Sequence, residues 1–408
     1  MSHAPTTDRI AAIDTLRGFA LLGILVMNIQ SFAMVDGAYF NPSLHMDLTG
    51  VNWAVWTVSH IFADMKFMAI FSILFGAGIV LMSDARAAGG RPVVGLHLKR
   101  TFWLFVFGMI HAYLIWPGDI LVTYAIAGLV VFWLRNKTPR TLFIWAGLML
   151  AVAPLIGLLG AAAATYGPAE VRADIVAGFG YTAQEIADEI AAYRGSWIDG
   201  FQARVSVAVY QQLDAIPFFL FWRAGGLMLM GMALFKLGVL TAVCTPRTYR
   251  KIAIGGLVIG LPLCITSVVM NADAGWDPVY SLLGVGALWN YIGSIAMALA
   301  YIAGVMLAVK SGLLQGVQAR LAAVGRMAFT NYIAQSVICT AVFYGWGLGL
   351  FGYVDRWGQL LIVLAVWALQ LWWSPWWLRR YRFGPLEWAW RSLTYLQAQP
   401  MVRRASPN

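Results

Sequence analysis

The sequence is dominated by long uninterrupted runs of apolar residues, and this feature constrains the fold more than any other. A helix that crosses a bilayer needs about 20 such residues. Inside hydrocarbon a chain satisfies its backbone hydrogen bonds only as a helix or a closed barrel, and barrel strands are short and alternating. The runs therefore predict an all-α polytopic membrane protein. Its ten predicted helices lie near residues 16–35, 53–83, 97–116, 119–134, 141–163, 214–239, 251–271, 287–309, 327–350 and 357–378.

Composition supports this class and excludes others. Of the 408 residues, 61% are hydrophobic and 11% are charged, whereas soluble domains carry about 25% charged residues. The net charge of +10 does not indicate nucleic-acid binding, because the basic residues occupy alternate loops and do not form one face. Cys244, Cys264 and Cys339 have no metal-ligand spacing, so we predict neither a metal site nor a disulfide framework.

The distribution of lysine and arginine predicts the orientation in the membrane. Alternate connections are rich in cations, as the positive-inside rule requires of cytoplasmic loops. The predicted outside segments hold few cations, namely Arg172, Arg194, Arg204 and Arg356. We therefore expect both termini on the cytoplasmic side.

The helices divide the chain into four predicted segments. Residues 1–163 form an N-terminal membrane bundle of helices 1–5, residues 214–395 form a C-terminal bundle of helices 6–10, and residues 396–408 form a basic cytoplasmic tail. The acidic residues 164–213 lie outside, either as an amphipathic helix that caps the outer face or as a solvated spacer. The second apolar run, 53–83, is too long for one perpendicular span, which predicts a strong tilt or an interfacial start.

Polar side chains inside the predicted spans are the first candidates for a functional site, because a charged group there costs roughly 3 kcal/mol or more. These residues are Asn28, His60, Asp64, Lys66, His111, Asp119, Arg223, Asn331 and Gln335. His60 and Asp64 are four residues apart and share a helix face. Apart from Lys66, Asn331 and Gln335, all of them fall in the outer half of the bilayer, where we expect them to line one polar cavity.

His111 is the predicted centre of that cavity. An imidazole titrates near neutral pH and serves as a general base or a nucleophile. Asp119 follows eight residues later across a tight turn, where it can orient the ring. The alternative is that the histidines are satisfied packing groups and that Arg223 pairs with Asp64 or Asp119.

Several segments resemble the YeiB family of bacterial inner-membrane proteins, which carries a domain of unknown function. The segments are 9–28, 66–76, 108–125, 325–336 and 384–395. They occur in the order of the family and cover most of the membrane chain. The resemblance implies a multi-pass protein of the bacterial inner membrane.

The opening pattern Asp14-x-x-Arg17-Gly18 is also similar to the start of transmembrane acyltransferases of the heparan-alpha-glucosaminide N-acetyltransferase type. That similarity implies acyl-CoA entering from the cytoplasm, an acceptor on the other side and a catalytic histidine near the outer end of the path. Asp14, Arg17 and Asn28 match at the first helix. The catalytic histidine of that group aligns with no particular histidine here, so His45, His60 and His111 all remain open.

The leading hypothesis is a transmembrane acyltransferase with acyl-CoA as the donor and an extracytoplasmic or lipid-linked acceptor. Its predicted catalytic residues are His111, Asp119, His60 and Asn28. Its predicted substrate-binding residues are Asp14, Arg17, Lys66, Asp64, Arg223, Asn331 and Gln335. The alternative is a transporter or flippase for a small amphiphile or anion. Expected partners are membrane lipids, the acceptor and, as an open option, a second copy of the chain in a homodimer.

Overall fold

The computed structural model describes residues 7–403, so residues 1–6 of the predicted N-terminal bundle and 404–408 of the predicted tail lie outside the description. The described chain is all-α and contains no strand, which confirms the predicted fold class. Its helices are α1 (Thr7–Ala33), α2 (Gly37–Phe40), α3 (Gly50–Phe62), α4 (Lys66–Ala88), α5 (Val94–Ile110), α6 (Leu121–Val131), α7 (Pro139–Tyr166), α8 (Ala169–Phe179), α9 (Ala183–Arg194), α10 (Asp199–Tyr210), α11 (Phe221–Lys236), α12 (Pro246–Asp273), α13 (Val285–Ser311), α14 (Gln315–Arg326), α15 (Ala328–Phe343), α16 (Arg356–Arg380) and α17 (Pro385–Tyr395).

Eight helical stretches of the described chain are long and apolar enough to cross a membrane. They are Ala11–Ala33, Gly50–Ala88, Val94–Ile115, Pro139–Tyr166, Asp199–Lys236, Pro246–Asp273, Val279–Ser311 and Arg356–Arg380. The other two predicted spans are the shorter α6 and α15, with 11 and 16 residues. The apolar segments thus follow the predicted order, and two of them are shorter than a full crossing.

The second apolar run is broken within the membrane-spanning stretch rather than tilted as one helix. α3 ends at Phe62 and α4 begins at Lys66, and Met65 between them has a left-handed φ of 61°. A non-glycine residue in this conformation is uncommon and needs support from its surroundings. The break places the side chains of Asp64 and Lys66 among the neighbouring helices.

The predicted outside segment contains three helices, α8, α9 and α10. α9 begins with a capping box formed by Thr182 and Glu185. α9 packs on the segment around Phe351. Tyr193 stacks on the Phe351 ring, and Arg194 Nε donates to the Phe351 carbonyl at 2.7 Å. α10 continues through a π-helical stretch, Gln211–Leu220, into α11, so the sixth helix begins well before residue 214.

Glycines bring the main helices into backbone contact. A Cβ on Gly76 of α4 would overlap the carbonyl of Met228 on α11, and one on Gly231 would overlap that of Ile73. Small residues at a crossing let membrane helices pack closely. The crossing therefore holds together the helices that carry Lys66 and Arg223.

Candidate functional site

His111 lies where α5 changes into one turn of π-helix, His111–Ile115. π-helical turns widen the backbone and frequently occur at functional sites. The chain then turns through Trp116, Pro117 and Gly118 and returns Asp119 beside the ring. His111 Nδ1 lies 2.8 Å from Asp119 Oδ1, and Asp119 Oδ2 accepts from the amide of Val122 at 2.8 Å. Asp119 therefore orients the imidazole and caps the first turn of α6.

The other ring nitrogen of His111 faces Ser336 on α15. His111 Nε2 and Ser336 Oγ are 2.8 Å apart. We call Ser336, His111 and Asp119 the His111 triad. Ser336 falls inside the family segment 325–336 but is not among the predicted site residues, because a serine in an apolar helix carries no signal of its own. Its partner is 225 residues away.

The triad is shielded from solvent. His111 and Ser336 are each 1% exposed and Asp119 is 2% exposed. The ring of Tyr332 lies 5.2 Å from the imidazole. An ionised Asp119 accepts the Nδ1 proton, and Nε2 then accepts from the serine hydroxyl. This is the arrangement in which a serine is activated as a nucleophile.

A second buried group surrounds the break between α3 and α4. Asp64 Oδ1 accepts from the Tyr39 hydroxyl at 2.9 Å, and Asp64 Oδ2 accepts from Asn290 Nδ2 at 2.5 Å. Lys66 Nζ donates to Asn290 Oδ1 at 2.6 Å and to the His60 carbonyl at 2.8 Å. Asn290 thus bridges the carboxylate and the ammonium. His60 Nδ1 lies 3.7 Å from Asp64 Oδ2.

Arg223 reaches the same part of α13. It donates to the carbonyl of Tyr291, which follows Asn290, and to Ser294. We call Asp64, Lys66, Asn290 and Arg223 the Arg223 cluster. Within the described chain Arg223 forms no salt bridge with Asp64 or Asp119, the pairings considered from the sequence. Among the residues that the structure describes, hydrogen bonds divide the polar residues expected in one cavity into two groups, and none of these bonds joins Asn28 to either group.

Asn331 and Gln335 belong to a polar seam between α15 and α16. Asn331 Nδ2 donates to Ser374 Oγ at 3.0 Å, and Gln335 Nε2 donates to Gln370 Oε1 at 3.0 Å. Gln370 in turn donates to the Asn331 carbonyl at 2.8 Å. Such bonds hold membrane helices together. The seam fixes the helix on which Ser336 lies.

The Asp14-x-x-Arg17-Gly18 pattern lies at the contact between α1 and α14. Arg17 Nη1 lies 2.7 Å from Asp14 Oδ1 and also donates to the Gly325 carbonyl at 3.4 Å. A Cβ on Gly18 would overlap the carbonyl of Leu321, and one on Gly325 would overlap that of Asp14. The pattern therefore supports close helix packing as well as charge at this end of the bundle.

Glu387 of α17 caps the start of α15. Its carboxylate accepts from the amides of Phe329 and Thr330 at 2.7 and 3.1 Å and from the Thr330 hydroxyl at 2.5 Å. Burial raises the pKa of this carboxyl group, and the bonds from Thr330 oppose that shift. The two late segments, 325–336 and 384–395, are thus joined by one carboxylate.

Groups of histidine, cysteine or acidic side chains able to hold a metal ion are absent from the described part of the chain. The three cysteines are free thiols, and Cys264 and Cys339 are buried.

The apolar spans, the broken helix and the buried polar groups define an integral multi-pass α-helical membrane protein. The chain belongs to the DUF418 family, described as a protein of unknown function, whose profile matches residues 234–397. It is 32% identical to the uncharacterized protein YxaH of Bacillus subtilis (strain 168), over 98% of this chain and 97% of that protein. It is 28% identical to the uncharacterized protein YeiB of Escherichia coli (strain K12), over 98% of this chain and 100% of that protein. The resemblance to the YeiB family is confirmed.

Proposed function

We propose that the protein is an acyltransferase of the bacterial inner membrane and that the His111 triad carries the reaction. The observation that supports this is the continuous chain from Ser336 Oγ through both ring nitrogens of His111 to Asp119, with both contacts at 2.8 Å. A buried serine beside an oriented imidazole is suited to attack a carbonyl carbon.

The chemistry takes place in two transfers. Ser336 Oγ attacks the acyl carbonyl of a thioester donor, and its proton passes to His111 Nε2. The bond from carbon to sulfur breaks, and the leaving thiolate takes that proton. An acceptor hydroxyl or amine next gives its proton to Nε2 and attacks the ester, which returns Ser336 to its hydroxyl form. Asp119 stabilises the imidazolium each time it forms.

The donor in this proposal is acyl-CoA from the cytoplasm. Its phosphates need guanidinium groups, which bind them with two parallel hydrogen bonds. Arg100 stacks over the Trp390 ring at 4.4 Å, and the neighbouring Arg391 has a buried Nε without a hydrogen-bond partner. These two arginines fit a phosphate group better than Arg17 does, because Arg17 already pairs with Asp14.

The burial of Ser336 requires an opening motion. The cleft beside the triad lies behind Asp119, between Ala112 and Gln211, and does not include Ser336 among its lining residues. A substrate therefore reaches the hydroxyl only when α15 separates from the π-helical turn of His111. Such gating is common where a reactive intermediate must be kept from water. The acceptor in this proposal is extracytoplasmic or lipid-linked.

The test is acyl transfer by purified protein in lipid nanodiscs, with radiolabelled acetyl-CoA and total membrane lipid as the source of acceptors. We expect His111→Ala and Ser336→Ala to abolish label transfer. Ser83→Ala is the matched control, because Ser83 is a buried serine of α4 whose hydroxyl has no partner. Full transfer by Ser336→Ala would contradict a serine nucleophile, and full transfer by His111→Ala would contradict the whole mechanism.

A transporter or flippase is the second candidate, and one observation favours it. Broken helices with charged residues at the break form the substrate and ion sites of many transporters. The break at Asp64 and Lys66 has this form. Proton-dependent uptake into proteoliposomes without consumption of acetyl-CoA, unchanged in Ser336→Ala, would favour transport over acyl transfer.

A further inference from the structure

Arg223 is a fully buried cation whose hydrogen-bond partners are all neutral. It is 0% exposed. Nη1 donates to the Tyr291 carbonyl at 3.3 Å, Nη2 donates to Ser294 Oγ at 2.7 Å, and the guanidinium lies 4.3 Å from the Tyr291 ring centre. Its Nε is buried and has no acceptor. The guanidinium is therefore held in place by α13 and keeps one donor unused.

The charges around Arg223 do not cancel. Asp64 is bridged to Lys66 through Asn290. Neither Lys66 nor Arg223 is in a salt bridge of the described chain, so these two cations share the single carboxylate of Asp64 and leave a surplus of one positive charge. Arginine does not lose its proton in proteins. Protonation of His60, which lies beside Asp64, would only increase the surplus.

A buried charge without a counter-ion is strongly unfavourable. We infer that Arg223 is one half of an anion-binding site, completed by the headgroup of a monoanionic amphiphile. The surplus of one charge sets the charge of the ligand. This inference does not rest on the His111 triad, because the two groups lie on different helices.

The surroundings of Arg223 fit an amphiphile better than a small hydrophilic ion. Tyr291 packs against Phe219, with ring centres 5.8 Å apart, and the neighbouring Phe218 is 55% exposed on the apolar outer surface. Both phenylalanines belong to the π-helical stretch Gln211–Leu220, which ends three residues before Arg223. A headgroup at the guanidinium can therefore be joined to an apolar tail that leaves toward lipid. A fatty carboxylate and a phosphodiester lipid share this chemistry.

The test measures the melting temperature of the purified full-length protein in neutral detergent with two matched pairs of additives. Octanoate is compared with octanol, and dioctanoyl phosphatidylglycerol is compared with dioctanoylglycerol. We expect the anionic member of at least one pair to raise the melting temperature well above its neutral analogue. A larger response to octanoate assigns a carboxylate ligand, and a larger response to phosphatidylglycerol assigns a phosphodiester lipid.

A designed variant supplies the missing charge within the chain. Ser294→Asp places a carboxylate beside Nη2, and Ser294→Asn is its neutral counterpart of equal size. We expect Ser294→Asp to melt above Ser294→Asn without additives and to lose the response to the anion. An equal response of the native protein to anionic and neutral additives, or no response, would overturn the inference even if neither variant folds. So would a full anion response in Ser294→Asp.

Discussion

The His111 triad and the Arg223 cluster are both buried in one helix bundle, and each contains a charge without an oppositely charged partner. In the triad that charge is Asp119, both of whose oxygens accept hydrogen bonds. Asp119 also lies at the start of α6, where the helix dipole favours a negative charge. Arg223 lies inside the continuous stretch Asp199–Lys236 and keeps an unused donor. The charged group of the triad therefore has a hydrogen-bond partner at each oxygen, whereas the guanidinium of the Arg223 cluster has a donor without one.

The difference separates two kinds of buried polar group. A carboxylate at a helix start whose oxygens both accept hydrogen bonds costs little stability. Such a group can remain ionised as a permanent part of a catalytic site. A buried guanidinium with only neutral partners lowers the stability of the fold, and binding of an anion would offset that loss. Completeness of hydrogen bonding, and not charge balance, therefore distinguishes the two groups, although their burial is nearly equal.

The largest expected effect comes from removing the charge that completes the triad. Asp119→Asn keeps the size of the side chain and cannot stabilise an imidazolium. We expect acyl transfer to fall by about 10⁴-fold, the loss typical of an asparagine in this position of a Ser-His-Asp triad. The measurement is single-turnover transfer from acetyl-CoA. Asp277→Asn, which breaks the exposed pair with Arg172, is the control, and equal rates in the two variants would show that Asp119 is only a helix cap.

The next effect tests the surplus charge of the Arg223 cluster. Asp64→Asn leaves two buried cations, and we expect it to lower the free energy of unfolding by roughly 3–5 kcal/mol. Lys66→Met leaves Asp64 and Arg223, whose charges cancel, so its cost should be smaller. Unfolding in mixed detergent measures both. A larger cost for Lys66→Met would mean that Asp64 and Lys66 form the only charge pair of importance and that Arg223 is balanced in another way.

The packing of the two helices that carry the cluster gives a third test. Gly76→Ala pushes a methyl group into the Met228 carbonyl, and we expect it to cost about 1–3 kcal/mol. Gly78→Ala is the matched control two residues away, because its added Cβ meets no atom of another helix within 4 Å. It should be neutral or stabilising by up to roughly 1 kcal/mol. If both variants melt alike, the crossing of α4 and α11 adapts more readily than its geometry indicates.

How well each group could be predicted from the sequence depends on how far apart its members lie along the chain. The pairing of His111 with Asp119 was visible because one tight turn joins them. Ser336 was not, since its contact arises from the packing of α15 on the π-helical turn, and a single sequence does not state which helix faces meet. The break at Asp64 was hidden for the same reason. An apolar run continues through it, and its supports, Tyr39 and Asn290, lie 25 and 226 residues away.

Helix positions followed directly from hydrophobicity, and helix ends did not. The predicted helix 327–350 stops at Phe343 because the chain reverses and the amide of Phe351 bonds to the Phe343 carbonyl at 2.7 Å. Gly349 and Gly352 permit this turn with φ values of 68° and 69°. The segment is apolar throughout, so composition alone extends the helix too far.

The smallest expected effect concerns two carboxyl groups outside the membrane-spanning stretches, Asp36 and Glu189. Their negative charge is neutralised by bound protons and not by a charged side chain. Glu189 of α9 accepts from the amide of Asp36 at 2.9 Å. Burial raises the pKa of Asp36 to about 6, and burial together with Asp36 raises the pKa of Glu189 to about 7. The folded protein therefore holds protons that the unfolded chain has released, and α9 is bound most firmly when both groups are protonated.

The sign of the pH dependence follows from these raised pKa values. The stability that Asp36 and Glu189 contribute is fully present at pH values below the ordinary pKa of a carboxyl group. It is lost as the pH rises through about 6 to 7. We expect the melting temperature of the native protein to fall across this interval. Glu189→Gln keeps an acceptor for the Asp36 amide and should flatten the fall, whereas Asp188→Asn, an exposed change on the same helix, should leave it unchanged. An undiminished slope in Glu189→Gln would mean that another group binds the protons. Asp36 and Glu189 would then be stabilised by hydrogen bonds alone, as Asp119 of the His111 triad is, and would differ from the Arg223 cluster in that respect.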